Sequence, residues 1–487
     1  MYKSVLTLFS GAFLGKIVGF IRELIIAYLY GTSLVVGAFR IAQSATLVPA
    51  HFFTTDALNA GFIPLYNRYK KRSFKKAQSL FWILKIAIFI GSLILAFILY
   101  KYALVWIGFI APGFSKEELN ITITFLHIMA LGVPFYLLSN LYSYLAIANG
   151  SYFLASIRPT IQSIGMIIGV FLAYYFNNIS LFAWGFSGAY IIFFLLGVWQ
   201  LKQKNLFIFY LDGVKEIISE FWQTIKPLLL LPIFLQGNIL IEKMVSSYMG
   251  VKVVASVEYA KFITETGVVL LAVPFGLVGL STLSAISFRE AREKLLQIIK
   301  AILIFTVPIS LFLILYSDLI IALIFKRGAF LSEDVLITKT ILIGFAIGFW
   351  AQVASYIMIK ALNAQHLNKK VAIFMVIALV SNAIFNIIFY KFLGAITIGI
   401  GSTIYAIILF FLASFAFSFT KDILKVIIPL LIASVVYYIV SQFFVYKTLV
   451  EILVSILIFI IYWILFILIS SDLKEIAISL IKLIRRR

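Results

Sequence analysis

The chain runs to 487 residues, 63% hydrophobic and only 12% charged, with a net charge of +21. Soluble domains carry about 25% charged residues and could not hide so many apolar faces, so the composition excludes that class and points to a membrane protein. Nucleic acid is excluded as a partner by where the charges stand, because they crowd the connections between apolar runs in the way of loops that hold one face to the cytoplasm.

Apolar runs and their breaks predict an all-α membrane protein with about 14 transmembrane helices. The first six spans are expected at 4–30, 34–65, 80–106, 120–148, 156–176 and 181–201. The stretch 159–201 holds no Asp, Glu, Lys or Arg and is too long for one span, and Asn177-Asn178-Ile179-Ser180 inside it is a turn signal. A more polar amphipathic connection, 202–220, is expected to lie in the membrane interface. Spans seven to fourteen follow at 221–249, 254–288, 300–316, 338–362, 371–390, 393–419, 426–446 and 450–470. The first run is too long for a cleaved leader and lacks a small-residue cleavage site, so it is expected to stay as the first span.

Orientation follows from the basic connections. Arg68, Lys70, Lys71, Arg72, Lys75 and Lys76 follow the second span, Arg289, Arg292 and Lys294 the eighth, Lys369 and Lys370 the tenth, and Arg485-Arg486-Arg487 closes the chain. Both termini in the cytoplasm fit this pattern best, and the protein is expected in the bacterial cytoplasmic (inner) membrane. Lys326 and Arg327, after the ninth span, run against the trend, with Asp318, Glu333 and Asp334 nearby.

An internal repeat organises the spans. Asn149-Gly150 is followed 36 residues later by Gly185-Phe186-Ser187-Gly188, and Asn363-Ala364 by Gly399-Ile400-Gly401-Ser402. Two six-helix lobes in a pseudo-twofold arrangement are implied, with two C-terminal helices added. The expected parts are an N-lobe at 1–201, the interfacial connection at 202–220, a C-lobe at 221–420, and spans thirteen and fourteen with a basic tail at 421–487.

Ionisable groups inside a span cost at least about 2.5–3.5 kcal/mol at its centre and so face a cavity or a partner. The first span carries Lys16, Arg22 and Glu23, and the second Arg40 and His51, with Ser44 and Thr55 on the same stripe and Asp56 off it. The seventh carries Glu242-Lys243, and the eighth Glu258, Lys261 and Glu265 on one face. Arg158 and Lys360 stand near the ends of the fifth and tenth. A hydrated cationic cavity suits an anionic headgroup such as a pyrophosphate, which arginine grips bidentately. The expected substrate-binding residues are Arg22, Glu23, Arg40, His51, Lys243 and Lys261. The same groups can equally be ion pairs that lock helices together, and Lys16 and Arg158 can reach the surface by snorkelling. Glu242, Asn382, Asn386 and Ser402 could cage a driving sodium ion, or simply hydrogen-bond between helices.

No cysteine is present, and the scattered His51, His127 and His366 have no zinc spacing. No GxxxxGK[ST] loop is present, so the chain is not expected to be an enzyme or to need a cofactor, and transport would draw on Na+, H+ or the membrane potential.

Several segments resemble the lipid II flippase (MurJ/MviN) family of the multidrug/oligosaccharidyl-lipid/polysaccharide exporter superfamily. They are Gly15-Lys16-Ile17-Val18-Gly19-Phe20-Ile21-Arg22-Glu23, Ala27-Tyr28-Leu29-Tyr30-Gly31-Thr32, Ala38-Phe39-Arg40-Ile41-Ala42, Ala60-Gly61-Phe62-Ile63-Pro64 and Ile324-Phe325-Lys326-Arg327-Gly328-Ala329-Phe330. The resemblance implies alternating access that moves an undecaprenyl-pyrophosphate-linked disaccharide-pentapeptide to the outer leaflet for peptidoglycan synthesis, with Arg22 in a cationic cavity. It also implies a groove with the last two helices for the polyprenyl tail. The implied partners are the lipid-linked glycan, membrane lipids and cell-wall synthesis proteins.

This chain departs from the family pattern at four places. Gly37 stands where the resemblance implies an acid, Ala50-His51 where it implies arginine, and Thr55-Asp56 where it implies an acid–glycine step. The basic residue of the eighth span is moved by one position in Tyr259-Ala260-Lys261-Phe262. Another undecaprenyl-linked oligosaccharide is therefore the alternative cargo, and a non-transporting scaffold of an envelope assembly complex the alternative of a different class. A cation-coupled drug exporter would need an acidic cavity, which the basic bias disfavours.

Overall fold

The structure, a computed structural model, describes residues 2–54, 56–283, 286–443, 449–470 and 473–476. Among these residues the regular elements are all helical, as lipid demands of a backbone that has no water to bond. The helices up to the interfacial connection are α1 (Tyr2–Tyr30), α2 (Leu34–Thr54), α3 (Asp56–Arg72), α4 (Phe74–Lys101), α5 (Ala103–Ile110), α6 (Lys116–Ala148), α7 (Phe153–Tyr175) and α8 (Ser180–Gln203). Then come α9 (Val214–Ile225), α10 (Leu230–Tyr248), α11 (Val251–Leu283), α12 (Phe288–Leu315), α13 (Ser317–Phe325) and α14 (Ser332–Ile347). The last five are α15 (Phe349–Ala364), α16 (Asn368–Leu393), α17 (Ile396–Ala416), α18 (Thr420–Ser441) and α19 (Leu449–Ile469).

Nine helices among the described residues are long and apolar enough to cross a membrane, or eleven if each of two bent pairs is one span. The segments outside that count are informative. Lys16, Arg22 and Glu23 lie within one span's length of α1, and Glu258, Lys261 and Glu265 within one span's length of α11. The described parts of α1 and α11 are thus rich in charge for membrane helices.

Several expected spans are divided. The second is α2 followed by α3, with Thr55 outside the described residues. The third is α4 and α5. The tenth is α14 and α15, bent by 49° at Gly348. An apolar run continues straight through such kinks, so the run alone cannot reveal them. The short turn expected at Asn177 is present: Asn177 is left-handed, and the Asn178 side chain accepts from the Ser180 backbone. Ser115 with Glu118 and Ser287 with Glu290 form reciprocal caps that start α6 and α12.

The described chain divides into two compact units, Met1–Tyr259 with Ala322–Ile337, and Ala260–Ile321 with Thr338–Arg487. In the first, α4 packs on α6, α6 on α8, and α8 on α7. In the second, α12 packs on α15, α15 on α17, and α17 on α16. The correspondence reaches single hydrogen bonds. Ser187 Oγ on α8 donates to the Ile128 carbonyl of α6 at 3.0 Å, and Thr403 Oγ1 on α17 donates to the Gly344 carbonyl of α14 at 2.7 Å; each spans 59 residues. The same order of packing thus recurs in the two units, two residues out of register with the Asn and Gly spacing. In the second unit Arg292 of α12 donates to the Phe417 and Ser418 carbonyls of the α17–α18 turn at 2.9 and 3.0 Å and to Asp422 of α18 at 3.4 Å.

Within the first unit α1 crosses α7 closely, with Gly11 beside Ser156 and Gly15 beside Pro159, a small-xxx-small contact. The segment 322–337 clasps the turn between α1 and α2. The Ala329 amide donates to the Tyr28 carbonyl at 2.8 Å, the Tyr259 hydroxyl to the Gly31 carbonyl at 2.8 Å, and the Thr32 hydroxyl to the Asp334 carboxylate. The other Asp334 oxygen accepts from the Leu331 amide at 2.8 Å and caps α14. Replacing Asp334 by alanine strips both bonds, and thermal unfolding of the purified protein should report a loss of about 1–3 kcal/mol.

Candidate functional site

Arg22 and Glu23 lie on the half of α1 that follows its crossing with α7. Arg22 donates from Nε at 3.0 Å and from Nη2 at 2.6 Å to Glu23 Oε1, while its Nη1 reaches Ser163 Oγ of α7 at 3.3 Å. Glu23 Oε2 accepts from Arg40 Nη2 on α2. One carboxylate thus bridges two guanidinium groups and leaves the triad with a net positive charge. Glu23 and Arg40 are sealed at 2% and 4% exposure, whereas the Arg22 side chain keeps 17%. Arg22 is the member of the triad that can meet a ligand.

A second cluster in the same unit joins α10 and α11. Lys243 is paired with Glu258 and stands 3.7 Å from Glu242. At 2% exposure Lys243 is as sealed as Arg40, and Glu258 lies within electrostatic reach of Arg40. Paired, buried cations of this kind hold helices and set the field of the site.

Two departures from the family pattern find physical reasons here. A Cβ on Gly37 would collide with Val251, standing 2.6 Å from its carbonyl oxygen, so the start of α11 occupies the room an acid would need. Gly37→Asp is accordingly expected to lower the membrane level of the protein and its melting temperature, a cost of about 1–3 kcal/mol. At the second departure, His51 of α2 lies 5.8 Å from the Tyr136 ring and within electrostatic reach of Arg158 on α7. Sequence reasoning left Arg158 between function and snorkelling. In the structure its guanidinium is held 5.0 Å over the Tyr136 ring, with Tyr190 and Tyr144 also in reach. The signal was present in the apolar run that carries it, but the face it occupies is set by α6 and α8.

Lys261 is partly buried and belongs to the second unit, with Asn382, Asn386 and Ser402; Glu242 belongs to the first. Asn386 donates to Asn382 Oδ1 at 2.8 Å, and the Asn386 oxygen is buried with no partner among the described residues. Both amide oxygens crowd the place where a Gly401 side chain would begin, with Asn382 Oδ1 2.5 Å from it. Thr55 lies outside the described residues, as does the side chain of Asp56.

This geometry can be set beside known proteins. A solved structure of lipid II flippase MurJ in an inward closed conformation superposes with a TM-score of 0.81 at 26% identity, covering 95% of this chain and 98% of that one. An inward-facing multidrug resistance MATE family transporter of the MOP superfamily shares the fold, with a TM-score of 0.68 at 14% identity over 84% of this chain and 96% of that one. The probable lipid II flippase MurJ of Buchnera aphidicola subsp. Baizongia pistaciae is 27% identical over 428 residues, 84% of this chain and 82% of its own length. The lipid II flippase MurJ of Thermosipho africanus is 27% identical over 417 residues, 82% of each. The sequence matches the family "Lipid II flippase MurJ" over residues 26–471, and the chain belongs to that family, one of multi-helix membrane transporters.

Proposed function

We propose that this chain carries lipid II from the inner to the outer leaflet of the bacterial cytoplasmic membrane by alternating access, with both termini in the cytoplasm. The observation that carries the reading is the Arg22–Glu23–Arg40 triad. An accessible guanidinium is held in place by a buried carboxylate that a second, sealed guanidinium also grips. A net cation fixed among apolar helices offers a pyrophosphate charge-assisted bonds at little reorganisation cost. In this reading Arg22 touches the headgroup, Glu23 and Arg40 position it, and Lys243 with Glu242 and Glu258 secures α10 against α11. His51 adds to the polar lining within the same unit. The partners are the lipid-linked glycan, surrounding lipids and the enzymes of cell-wall synthesis, and no catalytic step is assigned to the chain.

The test is complementation. The chain expressed in a bacterium depleted of its own lipid II flippase should restore growth. A well-folded, membrane-inserted chain that cannot do so would shift the cargo to another undecaprenyl-linked oligosaccharide, the reading that histidine at 51 favours.

Sodium coupling through Asn382, Asn386 and Ser402 belongs to the same proposal, since the unpartnered Asn386 oxygen beside Asn382 suits a hard cation. Replacing sodium by choline in a transport assay should slow the parent and leave Asn386→Ala unaffected. Equal sodium dependence in both would remove these residues from coupling.

A further inference from the structure

We propose that Arg158 is a second anion-binding cation of this chain, which together with Arg22 grips the pyrophosphate of an isoprenoid-linked substrate. The proposal rests on the transport reading above for the identity of the anion, though not for the existence of the site.

Four observations carry it. First, Arg158 has no carboxylate partner among the described residues, unlike Arg22, Arg40 and Lys243. Its neighbours are phenols: its guanidinium lies 5.0 Å over the Tyr136 ring, with Tyr190 and Tyr144 in electrostatic reach. A guanidinium inside a helical bundle normally finds a carboxylate or a phosphate, and a phenol ring beside it does not cancel its charge. The field of Arg158 therefore stays available to a mobile anion. Second, Arg158 is only partly buried as a residue, whereas Arg40 and Lys243 are sealed.

Third, the site is shared with Arg22. Both guanidinium groups act on Tyr190, and Arg22 touches Ser163 on the helix that carries Arg158. Ser163 lies five residues beyond Arg158, a rise of about 7.5 Å, and it is their common reach to Tyr190 that brings the two guanidinium groups toward one headgroup. Fourth, the wall is polar and unsatisfied. Asn140 follows Tyr136 by one turn on the same face of α6, is 1% exposed, and neither atom of its amide has a partner among the described residues. An unpaired buried amide is costly, and its retention one turn from the tyrosine that faces Arg158 fits a site that completes its bonds with a ligand.

His51 makes the proposal testable by moving the charge. It lies within electrostatic reach of Arg158 and against the same Tyr136 ring. An arginine introduced there would place a fixed charge in the same polar pocket from α2 instead of α7.

The experiment compares the parent, Arg158→Gln, and Arg158→Gln combined with His51→Arg, at matched membrane levels in flippase-depleted cells. Each purified protein is also titrated with undecaprenyl pyrophosphate and undecaprenyl monophosphate. Arg158→Gln should lose rescue and weaken diphosphate binding about tenfold or more, with a smaller effect on the monophosphate. The double variant should regain both. Full rescue by Arg158→Gln, or a well-folded double variant that binds as poorly as the single one, would overturn the proposal. Should Arg158→Gln fail to accumulate, Arg158→Lys decides: it keeps the charge but not the fork, so unchanged diphosphate affinity would overturn the proposal. A parent that fails to rescue yet binds the diphosphate through Arg158 would refute the lipid II reading and leave this site standing.

Discussion

Arg22→Ala is expected to abolish rescue of flippase-depleted cells while costing the fold only about 1–2 kcal/mol. The asymmetry comes from the triad. When Arg22 is removed, Glu23 still has Arg40 on its other oxygen, so no buried charge is orphaned. What disappears is the accessible guanidinium proposed to meet the headgroup. Arg22→Lys should fall between the two, because an ammonium keeps the charge without the planar fork. Rescue is read by growth, and folding by the melting temperature of the purified protein. A variant that grows normally would reassign the triad to a structural role.

Glu23→Ala is expected to be the more damaging change for stability. It leaves Arg22 and Arg40 facing one another without the carboxylate that joins them, and Arg40 Nε is already buried without a partner among the described residues. Breaking a buried ion network from one side costs about 3–5 kcal/mol, because the remaining charge is stranded. The protein should fail to accumulate in the membrane. Adding Arg40→Met should recover part of that loss, since it removes the sealed charge and leaves only the partly exposed Arg22 without its carboxylate. If Glu23→Ala melts like the parent, the triad is not held as described.

The general character of the fold is legible in the amino acids because lipid leaves few alternatives. The charge-free stretch 159–201, cut by Asn177, had to be two helices, and α7 and α8 are those helices. The repeat expected from Asn and Gly spacing has a counterpart, two residues out of register, in the pair of hydroxyl-to-carbonyl bonds from Ser187 and Thr403. The divided spans escaped notice because hydrophobicity does not fall at a bend such as Gly348.

The candidate site was legible in part for a similar reason. Arg22 and Glu23 are neighbours in the chain, so their pairing could be anticipated. That Glu23 also holds Arg40, 17 residues away, depends on how α2 folds back at the Tyr30–Leu34 turn. The Thr32–Asp334 clasp joins residues 302 apart and leaves no local trace. Arg158 sits one position before Pro159 in an apolar helix, and the ring of tyrosines that retains it comes from α6 and α8.

Exposure of lipid II at the outer leaflet is the measurement closest to the central claim. Flippase-depleted cells carrying this chain or its Arg22→Ala variant at equal level would be treated from outside with a phosphodiesterase that cuts lipid II. The parent is predicted to yield cleaved lipid II while Arg22→Ala leaves it protected. Lipid II that stays protected with the parent chain present would contradict the assignment.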